Sequence, residues 1–121
     1  RHAPPSSPDL QLFVIPFSVD KPVHPLHTYS GFTSAIWQCN PKSRCSVERR
    51  SSDPNENPII SPNDLSEELD QKTMVEGIKI LRKIYQQPQF RNLWEAEVVP
   101  GDMIKSDSAI LDAIRAGGGT V

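Results

Sequence analysis

The chain has 121 residues, of which 36% are hydrophobic and 23% charged, a size and composition that suit one ordinary globular domain with a modest core. A formal net charge of -2, without any run of Lys or Arg, excludes electrostatic capture of nucleic acid or of an anionic membrane surface as its organising principle. The longest apolar run, Leu12 to Phe17, is too short to cross a bilayer, and no basic region followed by an apolar stretch marks a secretory signal.

Residues 1–8 contain three prolines and two serines and read as a linker, with the domain proper at 9–121. Because the chain starts at Arg1 instead of Met, the expectation is a processed or excised piece. Leu10 to Ile15 is a short apolar run bounded by Pro8 and Pro16, the pattern of a strand buried on both faces. Pairing should stop at Pro16, which has no N–H to give to a ladder. Lys21 to Ser30, with two prolines and two histidines, has neither periodicity and is expected to be a loop. Phe32 to Cys39 alternates loosely as a second strand. The turn-rich Asn40-Pro41-Lys42-Ser43-Arg44 would join it to a third, Cys45 to Arg50, in an antiparallel hairpin. Ser52 to Pro58 is a polar loop, and Ile59-Ile60 is a short extended segment that Pro54, Pro58 and Pro62 confine to an edge.

Asp64 and Glu67 have capping-box spacing, and Glu67, Glu68 and Asp70 put negative charge where a helix dipole favours it. A helix is therefore expected to start near Leu65 or Ser66 and to end by Gln87, ahead of Pro88. Met74, Gly77, Ile78, Leu81, Ile84 and Tyr85 form its apolar stripe. Trp94 to Val99 is a short strand or extended link, Pro100-Gly101 a turn, and Ser106 caps a last helix from Asp107 to about Ala116, which the glycines at 117 to 119 stop. Strands followed by a long and then a short helix, with no βα alternation, predict an α+β fold: an antiparallel sheet backed by one long and one short helix.

The side chains that could carry chemistry are few. His24, His27, Cys39 and Cys45 are the right types for zinc, but five residues separate the cysteines where zinc modules use two to four. Small buried cysteines at the ends of the hairpin strands fit better, with a cross-hairpin disulfide as the other option. No Gly-x-Ser-x-Gly elbow exists, and the glycines at 117 to 119 follow a helix instead of opening one, which disfavours a phosphate loop. The acidic run at Glu67, Glu68 and Asp70 reads as a solvated first turn, and Tyr29, Phe32 and Trp37 as core. No catalytic, cofactor-binding or metal-binding residue is assigned on these grounds.

An ordered series of short motifs says more. Pro8-Asp9-Leu10-Gln11-Leu12, Gly31-Phe32-Thr33, Pro41-Lys42-Ser43-Arg44, Val47, Ser51-Ser52-Asp53-Pro54, Pro58-Ile59-Ile60-Ser61-Pro62-Asn63, Leu65-Ser66, Asp70, Val75-Glu76-Gly77-Ile78, Arg82-Lys83-Ile84, Pro100-Gly101 and Thr120-Val121 together resemble the C-terminal region of glucose-methanol-choline (GMC) oxidoreductases, nearest the choline dehydrogenase-like alcohol dehydrogenases. The resemblance runs from Pro8 to Val121. It implies part of a substrate-binding domain, an antiparallel sheet backed by helices that covers a flavin, in enzymes that pass a hydride from an alcohol carbon to FAD.

The resemblance also implies that FAD belongs to the parent enzyme and is not bound by this piece alone. The partners are then the remainder of that enzyme with its FAD-binding domain and a small alcohol substrate, with self-association of the isolated piece through unpaired edges. The family's Thr-Val-x-His-Pro segment would continue from Thr120-Val121, so the piece is expected to stop short of the catalytic histidine and to be inactive alone. Val121 matches a position beside flavin and substrate, and Gln38 and Asn40 are further expected contributors to the pocket wall. Where this chain has Phe13, Ala35, Asn40, Cys45, Arg49 and Asp64, many relatives carry histidine, histidine, arginine, glycine, an apolar residue and tyrosine. Those departures leave open a different reading, a catalytically inactive binding module derived from the same domain. The compartment is left open, with a lean to the cytoplasm.

Overall fold

The β-branched and aromatic residues between Pro8 and Pro16 form strand β1, Leu10–Ile15, and it pairs antiparallel with β2, Thr33–Gln38, in a register that runs from Leu10 opposite Gln38 to Ile15 opposite Thr33. The ladder ends one residue before Pro16, as its missing N–H dictates. A computed structural model describes residues 6–20 and 24–118. A second ribbon pairs β3, Ser46–Glu48, with β4, Ile59–Ser61. The expected hairpin between the second and third strands therefore does not form: each pairs elsewhere, and Asn40 to Arg44 bridges two separate two-stranded ribbons. Turn-forming composition marks where the chain bends without saying which strands meet across the bend. Nor is β1 buried on both faces, since Gln11 and Val14 are exposed.

Helix α1, Glu68–Tyr85, lies against the first hairpin, and α2, Asp107–Gly117, packs on α1. Alternation along β2 sends Ser34, Ile36 and Gln38 to one side, and each meets α1. The Ser34 and Tyr85 hydroxyls share a 2.5 Å hydrogen bond, and Gln38 Nε2 donates to Asp70 at 2.7 Å. Between them, Gly77 brings the helix so close that an added Cβ would lie 3.1 Å from Ile36 Cγ2 and 3.2 Å from Leu10 Cδ1. Val75 and Ile110 are the buried hydrophobic residues, so the core lies along α1 and its contact with α2.

Helix α1 begins two or three residues later than the capping-box spacing suggests. Asn63 and Leu65 take φ of 51° and 54°, a left-handed turn that breaks the register, and Glu67 caps without a side-chain hydrogen bond. The orphan N–H of Glu67 donates instead to Ser43 Oγ at 3.2 Å. The helix ends at Tyr85, ahead of Pro88, which opens a 3₁₀ turn, Pro88–Phe90, that composition does not announce. Trp94 to Val99 forms no strand. At α2, Ser106 Oγ accepts from Ala109 N at 3.3 Å, the expected cap, and Gly118 closes the end.

Candidate functional site

Asp70 accepts hydrogen bonds on both of its carboxylate oxygens. It is 1% exposed, so it is a buried joint and not the solvated first-turn acid that its neighbours Glu67 and Glu68 are. Its Oδ1 accepts from Gln38 Nε2 and from Lys42 N at 2.9 Å; its Oδ2 accepts from Lys42 N at 2.9 Å, Ser43 N at 2.6 Å and Ser43 Oγ at 2.5 Å. Burial alone would raise the carboxyl pKa. The Ser43 hydroxyl, the amides of Lys42 and Ser43, and the Gln38 amide outweigh it and lower the pKa from 3.8 to about 2. A turn holding two consecutive N–H groups is thereby clamped to the first turn of α1, which fixes where β2 ends and β3 begins.

A second joint holds the far end of α1. Arg82 donates from Nε to Glu97 Oε2 at 2.8 Å and from Nη2 to Glu97 Oε1 at 2.7 Å, a two-pronged pair, and its Nη1 donates to the Ile104 carbonyl at 2.7 Å. Nη2 also reaches the Gly101 carbonyl at 3.3 Å. Gly101, at φ 98°, supplies the reversal that brings those carbonyls round, a backbone angle side chains resist. The segment from Glu97 to Ile104 is thus pinned beside the helix.

Between that segment, the C-terminal half of α1 and the loop after β1 opens a cleft of about 1760 Å³. Phe32, Tyr85 and Trp94 line its wall, Phe32 and Tyr85 with ring centroids 5.3 Å apart. Trp94 Nε1 donates to the Tyr85 carbonyl at 2.9 Å, which holds the indole to the helix end. Phe32 fills this aromatic wall, but Tyr29 and Trp37, expected in the core, are about half exposed.

The side of the first hairpin turned away from α1 carries Gln11, Phe13 and Ile15 opposite Trp37, Ala35 and Thr33. Phe13 and Trp37 meet edge to face, centroids 4.8 Å apart, and no element packs on them among the described residues. Phe13 and Ala35, two of the positions at which this chain departs from the family pattern, are direct cross-strand partners on this bare face.

The expected pocket residues do not converge. Gln38 faces α1 and serves Asp70; Asn40 Nδ2 donates to Ser7 Oγ at 3.3 Å and to the Pro8 carbonyl at 3.4 Å, tying the end of β2 to the start of β1; neither lines the cleft. Val121 lies outside the described residues. Cys39 and Cys45 are free and exposed, not buried as expected, because each sits just beyond a strand end. Cys45 also takes no positive φ, so its replacement of the family's glycine carries no backbone strain. Among the described residues no group of three or more His, Cys, Asp or Glu could hold a metal ion. No helix among them is long and apolar enough to cross a membrane.

These joints fall on the motifs that carry the resemblance, and comparison with known proteins agrees with it. A family model described as GMC oxidoreductase, C-terminal, matches residues 41–121. An alcohol dehydrogenase [acceptor] of Pseudomonas putida is 35% identical over 94% of this chain, which covers 21% of that protein. An oxygen-dependent choline dehydrogenase of Staphylococcus aureus is 32% identical over 93% of the chain and 20% of its own length. A GMC oxidoreductase family protein of Malassezia sympodialis is 36% identical over 67% of the chain and 13% of its own. The chain spans about a fifth, or less, of the length of these relatives, and it belongs to the GMC oxidoreductase family.

Proposed function

We propose that this chain is the substrate-side part of an FAD-dependent oxidoreductase acting on CH–OH groups, that it covers the flavin with the bare face of its first hairpin, and that it turns over no alcohol alone. The observation that supports this most directly is the asymmetry of the hairpin, one face tied to α1 through Asp70, Gly77 and Tyr85, the other carrying half-buried Phe13 and Ala35 beside an exposed Trp37 with no helix against them.

The described residues suit one part of a flavin dinucleotide and not another. Helix α1 opens with Glu67 and Glu68 and α2 with Asp107, so both helix N-termini repel a pyrophosphate instead of attracting it. The apolar Phe13, Ala35 and Trp37 suit the face of a ring system, where they would exclude water and hold an alcohol against it. When bound, FAD supplies the acceptor for the hydride. Pyrophosphate binding then falls to the remainder of the enzyme, the partner in this reading. In this reading Gln38 and Asn40 belong to the pocket wall, and Val121 to a position beside flavin and substrate.

The test is expression of the full reading frame that contains this chain. The expected product is yellow and loses its flavin absorbance when an alcohol is added without oxygen, while the 121-residue chain mixed with FAD and desalted stays colourless. A full-length protein that folds yet carries no flavin would favour the inactive binding module, the reading to which the replacements at Phe13, Ala35 and Asn40 point.

A further inference from the structure

The loop after β1 gathers Ser18, Asp20, His27 and Tyr29 at the edge of the cleft, a cluster that the flavin reading does not use. His27 Nδ1 lies 2.8 Å from Ser18 Oγ and 2.8 Å from the Tyr29 hydroxyl, and its Nε2 lies 3.3 Å from Asp20 Oδ1. The tautomer that lets Nδ1 accept from either hydroxyl carries its proton on Nε2, on the side of the ring near the exposed Asp20 carboxylate, and leaves a lone pair on Nδ1. The ring is held there twice. His27 N donates to the Ser18 carbonyl at 3.0 Å, and the Tyr29 ring stacks on the imidazole with centroids 4.7 Å apart and planes 17° from parallel.

We propose that Ser18, His27 and Asp20 form a nucleophile, base and orienting acid that makes Ser18 acylable by small activated esters entering the cleft. Nδ1 has one lone pair and two hydroxyls beside it. When Ser18 donates to it, the Tyr29 proton has no other acceptor among the described residues and is available to a substrate carbonyl oxygen. The step balances without a cofactor: Ser18 Oγ bonds to the acyl carbon while its proton passes to His27 Nδ1, and the ester C–O bond breaks as that proton moves to the leaving alkoxide. Water, deprotonated by the same nitrogen, then attacks the acyl-serine and releases the carboxylic acid. The Ser18 carbonyl and the Tyr29 ring hold the imidazole in place, and the Asp20 carboxylate beside Nε2 favours the imidazolium formed in between. Gly-x-Ser-x-Gly spacing is absent, so the sequence offers no sign of this set, whose members meet through a loop closure across nine residues.

The test uses the 121-residue chain with a fluorophosphonate probe, which transfers phosphorus to a serine oxygen and releases fluoride, followed by peptide mass spectrometry. The probe is expected on Ser18. Ser18→Ala abolishes the adduct, Ser30→Ala, at a serine that lines the same cleft, retains it, and His27→Gln slows its formation about a hundredfold, the lower end of what a positioned base contributes. Because His27 also stitches the loop, Tyr29→Phe serves as the variant that removes no base: it should keep the adduct on Ser18 and slow turnover of p-nitrophenyl acetate. Failure of the wild-type chain to take up the probe, or equal labelling of wild type and Ser18→Ala, overturns the proposal and leaves the flavin reading untouched.

Discussion

Replacing Asp70 by asparagine tests how much of this fold rests on a single charged joint. The side chain keeps its shape and one acceptor oxygen, but the charge goes and an NH₂ group is turned toward the donors of Gln38, Lys42 and Ser43. The depression from 3.8 to about 2, at about 1.4 kcal/mol per unit, makes the charged form worth about 2.5 kcal/mol to the folded state. Leaving a buried N–H without an acceptor adds to that, so Asp70→Asn is expected to cost about 3 kcal/mol at pH 7. Urea unfolding followed by circular dichroism gives the value directly. The folded pKa lies below the unfolded one, so the contribution is complete above about pH 4 and disappears as pH falls through about 2. The gap between wild type and variant should therefore narrow over that acid range, while carboxylates common to both cancel. A cost below about 1 kcal/mol at pH 7, or a gap that does not change with acid, would refute the assignment of this joint.

Other joints give independent measurements. Arg82→Lys keeps the charge but loses the fork to Glu97 and the reach to the Ile104 carbonyl; with both side chains about 20% exposed, it should cost about 1–3 kcal/mol and speed amide exchange selectively between residues 98 and 104, which hydrogen-exchange mass spectrometry resolves. Gly77→Ala sets a gain of up to about 1 kcal/mol in helix propensity against a methyl crowded by Ile36 and Leu10, for a net loss of about 1 kcal/mol, whereas Gly77→Val should lose at least about 3 kcal/mol; equal urea midpoints for wild type and the valine variant would contradict the close approach. Tyr85→Phe removes the hydroxyl from Ser34 and should cost about 1 kcal/mol with little change in fluorescence of the neighbouring Trp94. The isolated chain should form dimers or larger species as concentration rises, because Val47 and Ile60 are each 63% exposed as cross-strand partners; light scattering that stays at monomer mass would count against it.

Local signals were readable in the sequence where a residue's own chemistry settles the matter. Pro16 ends a ladder and Ser106 caps a helix whatever surrounds them. Strand partnership was not, because β2 and β3 are each compatible with several neighbours; β1 and β2 pair where both meet α1, while β3 pairs with β4 away from it. The start of α1 was misplaced for a related reason. Asp64 and Glu67 have the spacing of a local cap, but the turn from Pro41 to Arg44 is clamped to Asp70 in the first turn of α1, and the chain enters the helix through left-handed Asn63 and Leu65. Asp70 itself looked solvated because first-turn acids usually are; only the long-range approach of Ser43 reveals that it is buried. The cleft-edge cluster around His27 gave no signal either, since Ser18, Asp20 and Tyr29 are ordinary loop residues until the loop closes.

Two of the departures from the family pattern, Phe13 and Ala35, lie apart from the joints that carry the resemblance. Ser43, Asp70, Gly77, Arg82 and Gly101 all belong to joints: a buried carboxylate with its donors, a helix pressed onto a hairpin, a forked ion pair on a reversed backbone. Changing Ser43, Asp70 or Arg82 leaves a polar group unsatisfied, a side chain at Gly77 crowds the hairpin, and one at Gly101 meets a backbone angle it resists. Phe13 and Ala35 face each other on the side of the hairpin turned away from α1, where a change costs at most the edge-to-face contact of Phe13 with Trp37. A surface of that kind can change with little cost to the scaffold. The two substitutions therefore bear on a face the scaffold does not need, and the joints bear on whether the hairpin is held against α1 at all.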